Sequence, residues 1–450
     1  MKSKLILEGY GKIEHAEISI KPLTFFIGDN NSGKSYLLSL IWAIQSMGAD
    51  TPLFLGVSKL DDPCFKKIYN DFERAIEYAF DEKKGNYSFQ AKDILPGLNM
   101  LLNQNKQRFV NSIFNFEDIR IDKFRVELVK DCEIRMEFSY DENSFSIKYH
   151  DGIRLRYLRA SSAQKITERE MCRCLWCLLI GSIRSFNSSS VYFPAARTGF
   201  VLAKDIVNKV GRQRTFDVLM DDEQAHKQPL QPFTKPIIGF LDVLEELSVD
   251  NIKKNGNSDL VQWIESHLTR GRIAYREKEV SEVRYIPDGM DQGIPLRTAS
   301  AVVTELTPLL LILKYGKGIN QICYEEPEMC LHPKLQHEMG RLLIRMINSG
   351  IDIVATTHSD IILQHVNNMC KLNKIQKKGA LLEQLDMSEE DCLDISKIAV
   401  YQLTDQGEYS EVQQITPTED GFVVPTFTDA LMDIFRNSTM IYDYEDEVEE

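Results

Sequence analysis

Eight residues near the N-terminus, GDNNSGKS from Gly28 to Ser35, have the composition and spacing of a loop that binds phosphate. They follow an apolar stretch, LTFFIG, and precede SYLLSLIWAIQSM, in which apolar residues recur at helical spacing. Between a strand and a helix, the glycines let successive backbone N–H groups turn toward a phosphate at the helix N-terminus. This context favours a phosphate loop over an ordinary Gly/Asn-rich turn.

The members of this loop have separate predicted roles in binding a nucleoside triphosphate. Lys34 is expected to reach the β- and γ-phosphates, and the Ser35 hydroxyl is expected to ligate Mg²⁺. The other residues predicted to contact the nucleotide are Gly28, Asn30, Asn31, Ser32 and Gly33.

A second candidate stretch is QICYEEPEMCLHP, at residues 321–333. A phosphate loop needs an acid at the end of a neighbouring strand to complete the magnesium shell, and Glu325 and Glu326 follow a short apolar strand here. In open α/β sheets, ligands bind at that carboxyl edge. Pro327 then ends the strand pairing. The pattern predicts a Walker-B-like site rather than a solvated acidic turn, with Glu328 as a structural or interface residue.

A third polar group ends another apolar strand, IDIVATTHS, and includes Thr356, Thr357 and His358. A histidine at this edge could contact a γ-phosphate or the attacking water. By itself it would be an ordinary histidine at the end of a strand. Its place in the chain after the two other motifs favours a functional role.

The remaining segments must hold these motifs at one edge of a sheet. Apolar strands and helices alternate around them, which predicts an α/β fold with a mixed central sheet, a flanking antiparallel β-meander and a helical insertion. The predicted segments are a helical insertion at 50–120, the β-meander at 121–160, a helical subdomain at 200–270, a polar helical insertion at 366–396 and an acidic disordered tail at 442–450.

Composition limits the classes of protein that fit. The chain is 43% apolar and 27% charged, as in soluble globular proteins. The net charge of −14 argues against nonspecific coating of nucleic acid, which needs clustered Lys and Arg, although it leaves room for a local basic groove. No apolar run reaches the ~18 residues of a membrane helix. With no signal peptide at the start, we expect a cytoplasmic protein without a membrane partner.

The nine cysteines are scattered and odd in number, which suits a reducing compartment. Three of them, Cys172, Cys174 and Cys177, lie in EREMCRCLWCLLIGSI, a predicted buried helix. No fourth ligand at zinc spacing stands nearby. Buried packing is therefore favoured over a metal site for this cluster.

Four stretches in this order, GYGKIEHAEISIKPLTFFIGDNNSGKS, YFPAARTG, EEPEMCLHP and ATTHSD, resemble the ABC-type ATPases of the SMC, RecF and OLD branch. The resemblance spans nearly the whole chain, and it is strongest to the AAA-type ATPases of prokaryotic anti-phage systems such as Septu and PARIS. It implies a single ABC-type ATPase head over residues 1–450, with ATP and Mg²⁺ as cofactors and slow hydrolysis. It also implies a site split between subunits, and hence a homo-oligomer with at least head-to-tail dimer contacts.

The resemblance also implies roles for individual residues. Glu325 takes the place of the Walker B acid beside Mg²⁺, Glu326 is the catalytic carboxylate that polarises water, and His358 is the switch histidine. In TASAVVTELTPLL, Ser300 matches the signature serine that acts in trans on a neighbouring subunit's nucleotide, and Ala301 replaces the usual glycine. The alternative for Ser300 is the N-cap of an ordinary amphipathic helix.

Two further residues are weaker candidates. Gln90, in SFQAKDIL, is the available candidate for the glutamine loop. Arg197, in PAARTG, is a candidate contact to phosphate or to a neighbouring subunit, with a structural ion pair as the alternative.

The favoured function is an ATPase subunit of an anti-phage system, acting as an oligomeric sensor or scaffold that controls a separately encoded effector, expected to be a nuclease. A RecF- or SMC-like DNA-repair ATPase would show a basic groove or coiled-coil arms. A single-chain OLD-type nuclease needs a TOPRIM domain, and no D-x-D pair follows His358. A transporter subunit is disfavoured by the long separation of Lys34 and Glu325. A scaffold with little hydrolysis is the remaining alternative.

Overall fold

The computed structural model describes residues 3–150, 154–158, 162–180, 190–202, 233–251, 257–276, 282–425 and 435–441. The acidic tail predicted at 442–450 lies outside these ranges. So do residues 203–232 and 252–256 of the predicted helical subdomain.

The described strands are β1 (Ser3–Tyr10), β2 (Ile13–Ile18), β3 (Leu23–Gly28), β4 (Lys84–Gln90), β5 (Lys123–Leu128), β6 (Glu133–Asp141), β7 (Ser144–Tyr149), β8 (Arg154–Leu158), β9 (Ser190–Phe193), β10 (Gly271–Arg276), β11 (Glu282–Pro287), β12 (Ile294–Pro295), β13 (Gln321–Glu325), β14 (Asp352–Thr357), β15 (Ile398–Asp405) and β16 (Ser410–Ile415).

The helices that position the site and its supports are α1 (Lys34–Ser46), α2 (Pro63–Glu82), α3 (Ala91–Phe114), α4 (Ala163–Ile180), α5 (Lys235–Glu245), α6 (Ser258–Ile264), α7 (Ala301–Tyr315), α8 (Pro333–Asn348), α9 (Asp360–Asn373) and α10 (Gly379–Gln384).

The central sheet has nine strands in the order β5-β1-β2-β16-β15-β3-β14-β13-β9. Its half from β15 to β9 is parallel throughout. The other half contains the antiparallel pairs β1–β2, β1–β5 and β15–β16. The predicted α/β fold with a mixed central sheet is therefore confirmed, and the segments IAVYQLT and EVQQI form its antiparallel pair β15–β16.

Alternating side chains bury both faces of this sheet. Phe26, Cys323 and Val354 point into a core shared with α1 to α4, whereas Phe25 and Tyr324 point into a core shared with α5 to α9. A parallel strand with apolar residues on both faces is typical of a sheet covered by helices on each side. The motifs at the strand ends are therefore held by a rigid, doubly packed layer.

The region predicted as a helical insertion followed by a β-meander is divided differently in the structure. Residues 50–120 supply α2 and α3 but also β4, which pairs with β6 in a separate four-stranded sheet, β4-β6-β7-β8. The start of the predicted meander, β5, instead pairs with β1 at the edge of the central sheet. Period-two alternation marks each strand, but it does not specify the partner across the ladder.

The segment predicted as a polar helical insertion at 366–396 begins inside α9, a helix that starts at Asp360. Leu363, Val366 and Met369 of this helix are buried in the core beneath the sheet. Residues 366–373 are therefore a part of the packed fold, and shorter helical turns follow them.

The cysteines of α4 lie where the sequence predicted, in the apolar core. Burial raises the pKa of Cys172 and of Cys174 to about 12, so these thiols stay protonated at neutral pH. None of the described helices has both the length and the apolar composition that crossing a membrane requires.

Candidate nucleotide site at the carboxyl edge of the central sheet

Four motifs meet at one edge of the parallel half-sheet. The loop at Gly28–Ser35 follows β3, the acidic turn follows β13, His358 follows β14, and the PAARTG turn follows β9. In the sheet β14 lies between β3 and β13, and β9 flanks β13. Since all of these strands are parallel, their carboxyl ends lie at the same edge, where α/β sheets bind ligands.

The backbone of the phosphate loop needs its glycines. Gly28 has φ 141° and Gly33 φ 94°, and Asn31 between them has φ 60°, a left-handed value that Asn tolerates. A Cβ atom at Gly28 would stand 1.9 Å from the carbonyl oxygen of Leu403 on β15. The close approach of β15 therefore fixes this position as glycine.

Helix α1 begins with groups arranged to receive an anion. Its N-cap, Gly33, has no side chain to bond the first N–H groups, and the first turn contains no acidic residue. Ser35 is exposed there, as a magnesium ligand has to be. Asn30 and Asn31 are exposed in the loop, while the buried Ser32 donates its hydroxyl to the Asp29 carbonyl (2.8 Å) and braces the turn.

Lys34 lies folded over this loop. Its side chain is nearly buried, and Nζ donates to the carbonyl oxygens of Gly28 (3.0 Å) and Asp29 (2.5 Å). Burial lowers the pKa of Lys34, while the negative charges of Glu326, Asp29 and Glu328 act in the opposite direction. The ammonium group is therefore held at the centre of an acidic cluster where phosphates would compete for it.

Glu325 ends β13 and is oriented by its neighbours. Its Oε2 accepts the N–H of Ala195 in the PAARTG turn (2.9 Å), and its carboxylate is also hydrogen-bonded to the buried Tyr192 hydroxyl. Burial and the adjacent Glu325 charge raise the pKa of Tyr192. An aligned carboxylate at this strand end suits the role of magnesium-side acid predicted from the sequence.

Glu326 has the backbone strain expected of a functional position. Its φ is 43°, which is uncommon for a residue with a side chain. Its N–H donates to the carbonyl oxygen of Thr356 on β14 (3.0 Å), and its side chain is 38% exposed. His358 Nε2 lies 3.8 Å from Glu326 Oε1. The predicted base and the predicted switch histidine are therefore neighbours.

His358 is partly exposed, with a pKa lowered by burial and by the positive charge of Lys34, against the opposing charges of Glu326 and Asp29. Its backbone N–H donates to Glu328 Oε1 at 2.6 Å. His358 is therefore fixed to the acidic turn through its backbone, while its ring faces the Glu326 carboxylate.

For Glu328 the sequence predicts a structural or interface residue, and the structure shows which contacts it makes. Burial raises the pKa of its carboxyl, against the hydrogen bonds that it accepts from the His358 N–H and the Thr357 hydroxyl. In the sequence it is the third carboxylate of EEPE, just beyond Pro327, in the turn that follows a strand adjacent to that of His358. Its bond to His358 depends on the pairing of β13 with β14, which the sequence does not state.

Ser300 is the N-cap of α7, as the bland alternative predicted, but its side chain makes no cap hydrogen bond. Both Ser300 and Ala301 are exposed. The start of this helix is thus open to approach by another molecule, a geometry compatible with the predicted action in trans.

The two weaker candidates, Arg197 and Gln90, lie on elements other than the phosphate loop. Arg197 is fully buried and ion-paired with Glu305 on α7, which favours the structural alternative over a phosphate contact. Gln90 ends β4 opposite Glu133, in the four-stranded sheet, whereas the phosphate loop follows the central sheet. Gln90 as the glutamine loop therefore stays a prediction, with the residue in a different sheet from the phosphate loop.

The residues present fit a magnesium nucleotide. The loop offers left-handed backbone, an uncapped helix start and a buried lysine, and the acids that follow β13 supply oxygen ligands. Mg²⁺ in such sites is held by one or two protein oxygens and by the phosphates themselves. Ser35 and Glu325 are the side chains that would hold it.

Comparison with known proteins agrees with this geometry. The chain matches the model of a family described as AAA ATPase domain over residues 1–175 and 221–363. A search of curated proteins gives no significant match.

Several solved structures of SMC head domains align with the chain at 11% identity. The SMC head domain from Thermotoga maritima covers 92% of this chain and 100% of its own, with a TM-score of 0.34. The head with an extended coiled coil bound to the C-terminal domain of ScpA, derived from Pyrococcus furiosus, covers 96% and 98%, with a TM-score of 0.36. An SMC head bound to the C-winged helix domain of ScpA covers 92% and 97%, with a TM-score of 0.37.

The strand order and the phosphate loop define the class of the protein, a P-loop ATPase with its site at the carboxyl edge of a mixed sheet. The chain belongs to the AAA ATPase domain family, whose model covers more than half of its residues.

Proposed function

We propose that the chain binds ATP with Mg²⁺ at this edge and hydrolyses it slowly, at an interface between two copies. The observation that carries the proposal is the cluster of Lys34, Glu326 and His358 at the ends of three adjacent parallel strands, with His358 Nε2 3.8 Å from Glu326 Oε1. Phosphoryl transfer needs positioned phosphates, charge neutralisation and an aligned water, and this cluster offers groups for each.

Each residue has a task in that reaction. Lys34 and the N–H groups at the start of α1 bind and orient the phosphates. Glu326 accepts a proton from the attacking water, and His358, whose lowered pKa keeps it neutral near pH 7, holds the geometry on the γ-phosphate side. The metal, bound by Ser35 and Glu325, would neutralise charge developing on the phosphate oxygens.

A second copy would complete the site. Ser300 is exposed at the start of α7, and its hydroxyl makes no cap hydrogen bond to its own helix. The hydroxyl could therefore face the nucleotide of a neighbouring subunit. We therefore propose a head-to-tail dimer as the minimal assembly. Ala301, in place of the usual glycine, would put a methyl group beside that nucleotide and favours long-lived ATP binding.

The test is Glu326→Gln, which removes the base and keeps the shape of the side chain. General-base removal costs about 10²–10⁴-fold in rate, so hydrolysis should fall by at least ~100-fold. Size-exclusion chromatography with light scattering should show a stable dimer formed with ATP and Mg²⁺. Normal turnover by this variant would remove Glu326 as the base, and a monomer at all ATP concentrations would contradict the split site.

We further propose that the ATPase acts in the cytoplasm as a sensor or scaffold in anti-phage defence and controls a separately encoded effector, a nuclease. The support is the order of the four motifs described above, which resembles the ATPases of such systems. Plaque assays on cells carrying the chain and its neighbouring gene should show protection that disappears with Lys34→Ala.

A cleavage assay with the purified protein tests whether the nuclease is a separate protein. Without a partner, the chain should leave linear and circular DNA intact in the presence of Mg²⁺ or Mn²⁺ and ATP. Metal-dependent cleavage by homogeneous protein that disappears with Glu326→Gln or Lys34→Ala would instead favour a nuclease within the chain. Neither arm affects the assignment of the ATP site.

A further inference from the structure

The guanidinium of Arg197 is buried where the acidic turn, the PAARTG turn and α7 come together. Nη1 donates to the carbonyl oxygens of Pro194 (3.1 Å) and Glu325 (2.8 Å), and Nη2 donates to the carbonyl oxygen of Glu326 (3.0 Å). Its Cζ also lies 4.8 Å from the centroid of the Tyr324 ring. Three of its contacts are thus to main-chain oxygens, two of them in the residues predicted to carry the chemistry.

These bonds act on a strained backbone. Glu326 has φ 43°, and its peptide groups are held from both sides: its N–H by the Thr356 carbonyl (3.0 Å), and its C=O by Arg197. A residue keeps such a conformation only where its surroundings over-determine it. The direction of the Glu326 carboxylate therefore depends on Arg197, whose hydrogen bonds go to the main chain of the acidic turn.

The other side of Arg197 faces α7. Glu305 is fully buried there, forms an ion pair with Arg197 Nη2, and accepts the Thr198 hydroxyl. Burial raises the pKa of Glu305, and the Arg197 charge opposes that rise. Glu305 stands on the same helix as Ser300, a little more than one turn from its start.

We propose that Arg197 is a positioning residue that holds the Glu326 turn in its hydrolytic conformation, and that its ion pair with Glu305 fixes this turn to the helix that presents Ser300. The inference rests on the proposed ATPase function. In a head-to-tail dimer, the Arg197–Glu305 pair would join Glu326 of one subunit to α7, the helix whose Ser300 completes the site of the neighbouring subunit. A shift of α7 on contact with a neighbour's nucleotide would thereby reach Glu326 through two side chains.

The first test is Arg197→Lys. A lysine retains the charge that faces Glu305, but it lacks the planar fork needed to reach two carbonyl oxygens at once. Small displacements of catalytic groups cost up to about 10²-fold, so kcat at saturating ATP should fall about 10- to 100-fold. The Kd for a fluorescent ATP analogue should stay within about twofold, since equal binding with a slower chemical step is the signature of misplacement. An unchanged kcat would overturn the positioning role.

The second test is Glu305→Gln, which removes the charge on α7 and leaves the donors of Arg197 in place. The expected result is a smaller loss of kcat, about fivefold to tenfold, again with nucleotide affinity retained. A wild-type kcat in this variant would overturn the link to α7.

A paired variant, Arg197→Met with Glu305→Met, separates positioning from folding. Replacing both members of a buried ion pair by apolar residues is often neutral for stability, whereas removing one leaves an uncompensated charge. The thermal midpoint should stay near that of the wild type, with hydrolysis lost and ATP binding kept. Full hydrolysis in this folded variant would overturn the proposal. If it does not fold, Arg197→Lys decides.

The matched control lies on the same helix. Lys314, near the C-terminal end of α7, pairs with Glu265, away from the acidic turn. Glu265→Gln should lower the thermal midpoint and leave both kcat and Kd unchanged. Wild-type protein assayed alongside separates the two proposals: no hydrolysis in the wild type would contradict the ATPase, whereas an active wild type with an equally active Arg197→Lys would contradict only the inference about Arg197.

Discussion

Two buried clusters of this molecule each combine arginine, a carboxylate and an aromatic ring, but their arginines hold different parts of the structure. At the carboxyl edge, Arg197 pairs with Glu305, lies over the Tyr324 ring and spends its donors on main-chain oxygens of the acidic turn. On α8, Arg341 and Arg345 lie over the ring of Trp263, and both donate to one buried carboxylate as well as to other acceptors around it.

That carboxylate is Asp391, which follows α10 and is fully buried. Arg345 Nε and Nη2 donate to its oxygens at 2.7 and 2.9 Å, and Arg341 Nη2 donates at 3.1 Å. Among the described residues, the hydrogen bonds and ion pairs of this cluster join α8 to the segment after α10 and include no residue of the predicted site. We infer from this difference that breaking a buried ion pair changes stability or catalysis depending on which other groups the arginine is bonded to.

Asp391→Asn should give the largest effect, and it should appear in stability alone. Removing one partner of a buried pair costs about 3–5 kcal/mol, because both arginines lose their buried counter-charge and keep only the more exposed Glu338 and Glu390. Urea unfolding should show that loss, while the Kd for ATP in the folded protein stays unchanged. Glu390→Gln is the matched control: Glu390 also pairs with Arg345 (2.6 Å) but is 69% exposed, so it should cost less than about 1 kcal/mol.

The same cluster gives a pH dependence with a defined sign. Burial disfavours the charged form of Asp391, but the bonds from Arg345 and Arg341 outweigh it and lower the pKa from 3.8 to about 2. A group with a lowered pKa in the folded state contributes stability above its unfolded pKa and loses it as the pH falls through the folded value. The stability difference between wild type and Asp391→Asn should therefore shrink between about pH 4 and pH 2.

Lys34→Ala should give the converse result at the carboxyl edge. The ammonium makes charge-assisted contacts to phosphates that no neighbour can replace, so affinity for ATP should fall by about 100-fold or more, equivalent to ~2.8 kcal/mol. Calorimetric titration measures this, and urea unfolding should change little. Lys371→Ala, which breaks an exposed pair with Asp420, is the control of equal charge change. Unchanged ATP affinity in Lys34→Ala would contradict the phosphate loop.

The sequence predicted much of the site because its chemistry is local. GDNNSGKS, the acids after β13 and the histidine after β14 each follow an apolar strand, and parallel strands bring such ends together. The fold class followed from the same alternation of strands and helices. These features depend on residues adjacent in the chain, so a pattern can reveal them.

What the sequence left open depends on contacts across the fold. The positioning role that we propose for Arg197 depends on β9 lying beside β13, and the contact of Glu328 with His358 depends on the pairing of β13 with β14. Likewise, β4 pairs with β6 and β5 pairs with β1, and the alternation of residues within a strand cannot specify such partners. Gln90 is a candidate for the glutamine loop by residue type alone, without a neighbouring motif to support it, and it lies in the four-stranded sheet.

Glu328→Ala should have a moderate effect, smaller than that of Lys34→Ala. It removes the acceptor of the His358 N–H and lets the histidine turn away from Glu326. We expect kcat to fall about tenfold, equivalent to ~1.4 kcal/mol, with ATP affinity within about twofold. Glu328→Gln retains an acceptor oxygen and should recover most of the rate. If the two variants lose the same activity, the charge of Glu328 matters rather than its bond to His358.

The smallest effect concerns the acid limb of the pH profile of kcat/KM, which reports on ionisations of the free enzyme. Burial and the Lys34 charge lower the pKa of His358, so the neutral ring should persist below its ordinary value of 6.5 and activity should fall only at lower pH. Asp29 opposes that shift, and its Oδ2 accepts the N–H of Asp405 at 3.2 Å, a bond that an asparagine oxygen can keep. Asp29→Asn should therefore move the limb to still lower pH without disturbing the loop. A limb that moves upward in this variant would show that His358 is not the group that titrates. In that case the charged groups at the carboxyl edge would stabilise the structure, as those around Asp391 do, without setting the pKa of a reacting group.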